Sequence, residues 1–267
     1  MDFSVLMSVY YKENPLYLKQ AIESILNQTL VPTEIVIVKD GKLTEELETI
    51  LDDYLNNSLF KIVGYDDNRG LGLALNFGVN ECSYDVIARM DSDDICDKTR
   101  FKKEIKLIEA GYDLVGSNTI EFIDDIDNEI SKRNMPLKHD EIIKYSKKRN
   151  PFVHPSVMFR KSIYFAAGGY RNYYLVEDYD LWVRMIQQGA KTINIDEYLV
   201  YMRISKDFYE RRGGHKYYLS IKKFFKEIRK SKYISFIEYY KTMCPRFIIY
   251  HLPNFLRRRI YEKKLRG

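Results

Sequence analysis

Three carboxylates fall within four residues at Asp91-Ser92-Asp93-Asp94, directly behind the run Asp85-Val86-Ile87-Ala88-Arg89-Met90. The apolar part of that run reads as the end of a buried strand. Carboxylates crowded there repel one another and gain no packing energy. Asp91 and Asp93 are two apart, so in an extended segment they point to the same side. Magnesium and manganese are typically held by one or two carboxylates plus the phosphate oxygens of a substrate. Open α/β sheets also bind ligands outside the carboxyl ends of their strands. The stretch therefore reads as a metal–diphosphate site. The alternative is a solvated acidic turn, with Asp94 or Asp97 capping the helix near Thr99 to Ala110.

The elements that would position these carboxylates alternate along the first hundred residues. Phe3 to Tyr10, Glu34 to Val38 and Phe60 to Gly64 are strands by composition. Between them, Asn14-Pro15 starts a helix whose apolar face is Leu18, Ala21, Ile22, Ile25 and Leu26. A polar-faced helix runs from about Thr44 to Tyr54, and Asn68-Arg69-Gly70-Leu71-Gly72 opens another, to about Val79. Strands alternating with helices imply an α/β fold with a mostly parallel, Rossmann-like sheet and right-handed crossovers. Beyond the acidic stretch the pattern loosens. Tyr112 to Ile123 reads as one or two strands, Asp127-Asn128 as a turn, Asp140 to Lys147 as a short helix and His154 to Arg160 as a strand. Gly168-Gly169-Tyr170 is a turn, Glu177 to Gln188 an amphipathic helix with Leu181, Trp182 and Met185 inward, and Thr192 to Arg203 further strand. Everything after Ser205 is helical and basic, so the expected division is a catalytic domain over residues 1–204 and a basic, aromatic-rich helical appendage over 205–267.

The chain has 267 residues and a net charge of +5 that hides an asymmetry. Residues 205–267 carry 18 Lys and Arg against 5 Asp and Glu, a balance of +13. Residues 1–204 carry 25 basic against 33 acidic, a balance of −8. An acidic body with a basic tail points to an anionic surface as partner; nucleic acid is not expected. Cys82, Cys96 and Cys244 fit neither a zinc site nor a disulfide framework and suggest a reducing compartment. Met1-Asp2-Phe3 leads straight into an apolar strand, so no secretory leader is expected, and no apolar run reaches the roughly 18 residues of a spanning helix. A dinucleotide site would place G-x-G-x-x-G after the first strand. That position holds Tyr10-Tyr11-Lys12-Glu13, and Leu75 stands at the third-glycine position of the later Gly70-Leu71-Gly72. A P-loop is absent as well. The oligomeric state is not legible.

Ser4 to Tyr10, Ser24-Ile25-Leu26-Asn27-Gln28-Thr29, Glu34 to Gly41, Asn68 to Asn76, Asp91 to Asp94, Asn150 to Pro155 and Glu177 to Trp182 follow one another in an order that resembles glycosyltransferase family 2. The resemblance covers about residues 3–204. It implies a GT-A fold, a nucleotide-sugar donor, a divalent metal (Mn2+ or Mg2+) and inversion at the anomeric carbon. Within the family the chain is similar to bacterial transferases that build O-antigen and capsule repeat units on a lipid carrier. The expected partners are then a UDP-sugar (glucose, galactose or an N-acetyl form) and a lipid-diphosphate-linked sugar, with the protein on the inner face of the bacterial membrane.

On that resemblance Asp40 accepts from the uracil N3–H, although Lys39 stands where the family often has a further Asp. Ser8 and Tyr10 would line base and ribose, Arg69 the diphosphate, and Ser92 the donor. Asp93 is assigned to the metal, and Asp91 to the metal's water shell or the ribose. Asp178 is the expected general base, with Glu177, Trp182 and His154 towards the acceptor and Asp180 as an orienting residue. Capping by Asp178, core packing of Trp182 and a satisfied structural role for His154 are the plainer alternatives. Arg211 and Arg212, beside Gly213-Gly214, suit a loop closing over diphosphate, with His215 as a further possible metal ligand. In the tail, Ile221, Phe224, Phe225 and Ile228, and then Phe247 to Tyr261, put apolar residues beside basic ones, as an in-plane membrane helix requires. Packing of the first group on the body is the alternative. A sugar nucleotidyltransferase or an inactive membrane-docked carbohydrate-binding scaffold are the competing functions.

Overall fold

A computed structural model describes residues 1–204, 213–253 and 256. Nine strands form one sheet in the order β3-β2-β1-β4-β8-β6-β9-β5, with β7 added on β6. β1 (Ser4–Val9), β2 (Glu34–Asp40), β3 (Phe60–Tyr65) and β4 (Val86–Asp91) pair in parallel, so all four end at one edge. Ser8 stands opposite both Val38 and Asp91 in that register. β8 (Met158–Arg160) runs antiparallel to β4 and to β6 (Leu114–Phe122), and β9 (Thr192–Arg203) runs parallel to β6. The two-residue β5 (Ile95–Cys96) and the outer β7 (Glu129–Arg133) complete the sheet.

Alternation along the central strands divides the core into two layers. Val5, Met7, Val9, Ile35 and Ile37 face α1 (Pro15–Leu26) and α2 (Glu45–Asp52), where Leu18, Ile22, Ile25, Leu47 and Leu51 close the layer. Leu6, Val36, Val38 and Ile87 face the other way, onto Ala74, Leu75 and Val79 of α3 (Leu71–Glu81) and Leu181, Trp182 and Met185 of α7 (Glu177–Gln187). α4 (Arg100–Glu109), α5 (His139–Ser146) and α6 (Lys161–Ala166) fill the second half.

Three details depart from the sequence reading. His154–Ser156 is a single 3-10 turn around Pro155, and only Met158–Arg160 is strand. Proline lacks the N–H a ladder needs. β5 and β7 carry no readable alternation, the first because it has two residues and the second because its residues are mostly exposed. The third concerns α8 (Gly214–Lys230) and α9 (Phe236–His251). Ile221, Phe224, Phe225 and Ile228 are buried, in one cluster with Val176, Tyr179 and Val183 of the body and Tyr239, Met243 and Tyr250 of α9. The expected membrane face of residues 221–232 is therefore corrected: it is the seam by which α8 packs on α7. Tyr179 packs against Phe224 with the rings tilted and 4.4 Å between centroids. Arg211, Arg212 and residues 257–261 lie outside the described residues.

Candidate active site

Asp40 ends β2, and its buried carboxylate takes four donors from the chain itself. Oδ1 accepts from the Tyr65 hydroxyl and the Arg69 amide, each at 2.8 Å. Oδ2 accepts from Asn68 Nδ2 and the Gly70 amide, each at 3.0 Å. Those fill the carboxylate's lone-pair directions. Asp40 thus holds the Asn68–Gly70 loop and sets the N-terminus of α3; a uracil N3–H would reach it only in place of one of these donors. Gly41 makes the close approach possible, since at φ 90° a Cβ there would lie 2.8 Å from the Asn68 nitrogen. The exposed Arg69 guanidinium lies over the Tyr65 ring at 4.3 Å. Burial, then the bond to Asp40, pushes the Tyr65 hydroxyl's pKa up.

Two strands over, past β1, the side-chain oxygens of Asp91, Asp93 and Asp94 lie within 4.8 Å of one another. Arg89 Nη2 donates to Asp91 Oδ1, and the Arg203 amide donates to Asp94 Oδ1 at 2.8 Å. Arg203 also donates from Nε to the Asp93 carbonyl at 3.0 Å. Ser92 is buried and donates to Glu13 Oε2 at 2.5 Å, which draws the loop after β1 into the cluster. Asp97 shapes the turn into the next helix, its Oδ1 accepting from the Thr99 amide at 2.9 Å, while the N-cap Thr99 makes no side-chain cap bond. Burial, then the charges of Asp91 and Glu13, push Asp93 up to about 8. Burial and Asp93 raise Asp94 as well. Asp94 Oδ2 is buried with no partner among the described residues. Carboxylates so placed are short of positive charge, and a divalent cation fits them.

α7 brings the second set of carboxylates. Asp178 Oδ2 accepts from Asn150 Nδ2 at 2.6 Å and Oδ1 from the Tyr179 amide at 2.7 Å. Leu175, at φ 58°, turns the chain into this helix in a left-handed conformation that costs a non-glycine residue roughly 1–2 kcal/mol. Glu177 is buried beside the first turn of α3: a Cβ on Gly72 would lie 3.6 Å from its Cβ. Burial, then Asp178, pushes Glu177 up to about 7, and its Oε2 has no partner among the described residues.

Trp182 is fully buried against Phe152, His154, Phe159 and Tyr170, so its expected stacking on an acceptor is corrected to core packing. Asp180 gives its carboxylate to Arg184 at 2.6 Å, and Arg184 Nη2 ties down the Gly169 carbonyl at 2.7 Å. His154 shares a 2.8 Å hydrogen bond with the Tyr170 hydroxyl, and burial, then Arg89, holds its pKa well below the usual range. Asn76 of α3 donates from Nδ2 to the Tyr170 carbonyl at 2.6 Å, so the donor-side helix and this network are one piece. His215 faces His251 at 3.2 Å and, among the described residues, is not part of the acidic group. Ser8 is half-buried and Tyr10 exposed at the edge where β1, β2 and β4 end.

Sequence reasoning passed over Glu13, Arg89 and Arg203. Arg89 is 1% exposed, and its Nε and Nη1 have no partner among the described residues. A charged residue inside the apolar run before Asp91 was the available signal. Glu13 lies in the loop after β1 and Asp91 ends β4, and only the parallel pairing of those strands brings the two together.

A parallel sheet ending in this carboxylate cluster, beside a loop and helix N-terminus suited to a diphosphate, has the GT-A architecture of nucleotide-sugar transferases. The family model for Glycosyl transferase family 2 matches residues 4–168. The chain belongs to glycosyltransferase family 2, and it is an enzyme of that class. It is 38% identical over 266 residues to the Escherichia coli UDP-Gal:alpha-D-GlcNAc-diphosphoundecaprenol beta-1,3-galactosyltransferase, covering 99% of this chain and 96% of the relative. It is 36% identical over 267 residues to the Erwinia amylovora amylovoran biosynthesis glycosyltransferase AmsE, covering 99% and 100%. The fold is similar to S. aureus TarS 1–349 in complex with UDP-GlcNAc, at a TM-score of 0.67 and 16% identity over 99% of this chain and 76% of that one.

Proposed function

We propose that the chain transfers a hexose from a UDP-sugar, with inversion and with Mn2+ or Mg2+, to a hydroxyl of a sugar carried on a lipid diphosphate. The product would be a repeat unit of a surface polysaccharide. The reading is carried by the Asp91-Asp93-Asp94 cluster, which is short of positive charge at the edge where nucleotide sites form. The full-length likeness to a UDP-galactose-dependent relative supports the choice of donor and acceptor classes.

In this reading Ser8 and Tyr10 line the base, and Asp40 serves it directly or through the Asn68–Gly70 loop. Arg69 and the α3 N-terminus hold diphosphate, where helix amides and the dipole favour an anion. Ser92 braces the donor site, and Asp93 and Asp91 hold the cation. When bound, that metal supplies a Lewis acid for the charge on the departing UDP. Asp178, aimed by Asn150, takes the proton of the acceptor hydroxyl, and Glu177 contacts the acceptor sugar. Arg211 and Arg212 would close over the diphosphate. Residues 1–204 would form the catalytic unit and 205–267 an appendage on the cytoplasmic face of the membrane.

Calorimetry with UDP, with and without Mn2+, followed by a UDP-hexose screen on GlcNAc-diphospho-lipid with the linkage assigned by NMR, tests the reading. UDP-galactose is the first donor to try. Metal-dependent UDP binding and EDTA-sensitive turnover are expected; metal-independent binding with no hexose transferred would overturn it.

A further inference from the structure

α9 carries one broad apolar arc, and the body covers only part of it. Tyr239, Met243 and Tyr250 are buried in the cluster shared with α7 and α8. Next to them round the helix Phe236, Ile237, Tyr240, Phe247 and Ile248 are exposed, Ile237 and Ile248 by 64% and 63%. At 100° per residue these five fall within an arc of roughly 120°. A contiguous exposed apolar stripe marks a docking surface.

The surroundings of the stripe are basic. Lys147, Arg229, Lys230 and Lys232 line a groove at the N-terminal end of α9. Lys148, Arg149, Lys241 and Arg246 line a second groove along the side of α9 turned from the stripe, of which Lys241 flanks Ile237 and Ile248. Both grooves share a single acid, Glu238, which pairs with Lys147 at 3.8 Å. Two copies of the chain meeting through this face would set these cations against one another, at a cost in repulsion. Aromatic and aliphatic side chains rimmed by Lys and Arg instead suit a bilayer, with acyl chains for the stripe and anionic headgroups for the rim.

We propose that the outer face of α9 is the membrane-docking surface of this enzyme, lying in the plane of an anionic phospholipid bilayer. The inference rests on the reading that the acceptor is lipid-linked. It replaces the buried face of α8 as the contact, and it ties docking to the site. Arg246 of α9 donates to the Thr242 carbonyl at 3.0 Å and to the Lys148 carbonyl at 2.5 Å. Two residues on, Asn150 holds Asp178. The helix on the membrane therefore braces the segment that aims the candidate base.

The test uses the full chain and vesicles of phosphatidylcholine, alone or mixed with phosphatidylglycerol. Wild type should sediment with the mixed vesicles, weakly with phosphatidylcholine, and less at high salt. Ile237→Ser/Phe247→Ser/Ile248→Ser should stay folded, with a melting temperature lowered only by loss of the Phe247 contact with Tyr218, which Ile237→Ser/Ile248→Ser keeps, and both variants should lose vesicle binding, the triple one by roughly 100-fold or more. Lys230→Glu/Lys241→Glu should lose the preference for the anionic vesicles. On a short-chain, soluble GlcNAc-diphosphate acceptor the triple variant should turn over like wild type, and on the undecaprenyl acceptor in vesicles more slowly. Unchanged vesicle binding by the triple variant overturns the proposal. So does a lipid-free wild-type dimer that the triple variant dissolves, which would assign the face to a second copy. Failure of wild type on the soluble acceptor would instead count against the proposed function, whatever the vesicles show.

Discussion

Asp178→Asn separates holding the site from running the reaction. In the wild type Asp178 Oδ1 receives the Tyr179 amide at 2.7 Å and Oδ2 receives Asn150 Nδ2 at 2.6 Å. Asparagine has the same shape and keeps the first bond. Its amide group would face the Asn150 amide, donor to donor. Asn150 can turn round and offer its oxygen, at the loss of the 3.3 Å bond that oxygen accepts from the Phe152 amide. A neutral hydrogen bond of that kind is worth about 1 kcal/mol, or about 2–4 °C in melting temperature for a chain of this size. What cannot be recovered is proton acceptance, typically 10²–10⁴-fold in rate, or about 3–5 kcal/mol of activation free energy. Calorimetry with UDP and Mn2+ should give wild-type affinity, while UDP release with GlcNAc-diphospho-lipid falls by roughly 10²–10⁴ in kcat. Asn150→Ala, which leaves the carboxylate but not its aim, should lie between, at roughly 10–100-fold. Wild-type turnover by Asp178→Asn would remove Asp178 from the chemistry. A parallel loss of UDP affinity would make it a donor-site residue instead.

Three further perturbations probe the rest of the site. Asp93→Ala should weaken UDP binding when Mn2+ is present and leave the metal-free binding unchanged, and EDTA should silence the wild type reversibly; full activity in EDTA would contradict the metal reading. Asp40→Asn puts an amide group against at least one chain donor, so stability should drop by about 2–4 kcal/mol in urea unfolding, and donor affinity should drop with it as the Asn68–Gly70 loop loosens. Glu177 holds its proton to about pH 7 in the folded chain against 4.5 for the ordinary side chain. Between those values the native state binds more protons than the unfolded one, so wild-type stability falls as pH rises. Glu177→Gln cannot titrate, so between pH 5 and pH 8 the difference in unfolding free energy should swing towards the variant by up to about 3 kcal/mol; a pH-independent difference would show that Glu177 ionises normally.

The sequence by itself determined the alternating α/β order, the strand ends that carry Asp40 and Asp91, and the family. Those features are local: strand composition, helix periodicity and motifs a few residues long. It also located Asp178 at the start of a helix. What it left open depended on which elements pack together. Trp182 and Phe224 read equally well as exposed aromatics or as core, because helical spacing gives a side chain's face and not the neighbour that covers it. Glu13 joined the acidic cluster only once β1 and β4 lay side by side in parallel, and the burial of Arg89 beside Asp91 followed from the same sheet. Asp40 proved to be saturated by a loop almost thirty residues downstream, a contact invisible to spacing. The apolar arc of α9 was likewise undivided in sequence. Tertiary structure assigned one part to the core through Tyr239, Met243 and Tyr250, and left the other, with Phe236, Ile237 and Ile248, to solvent.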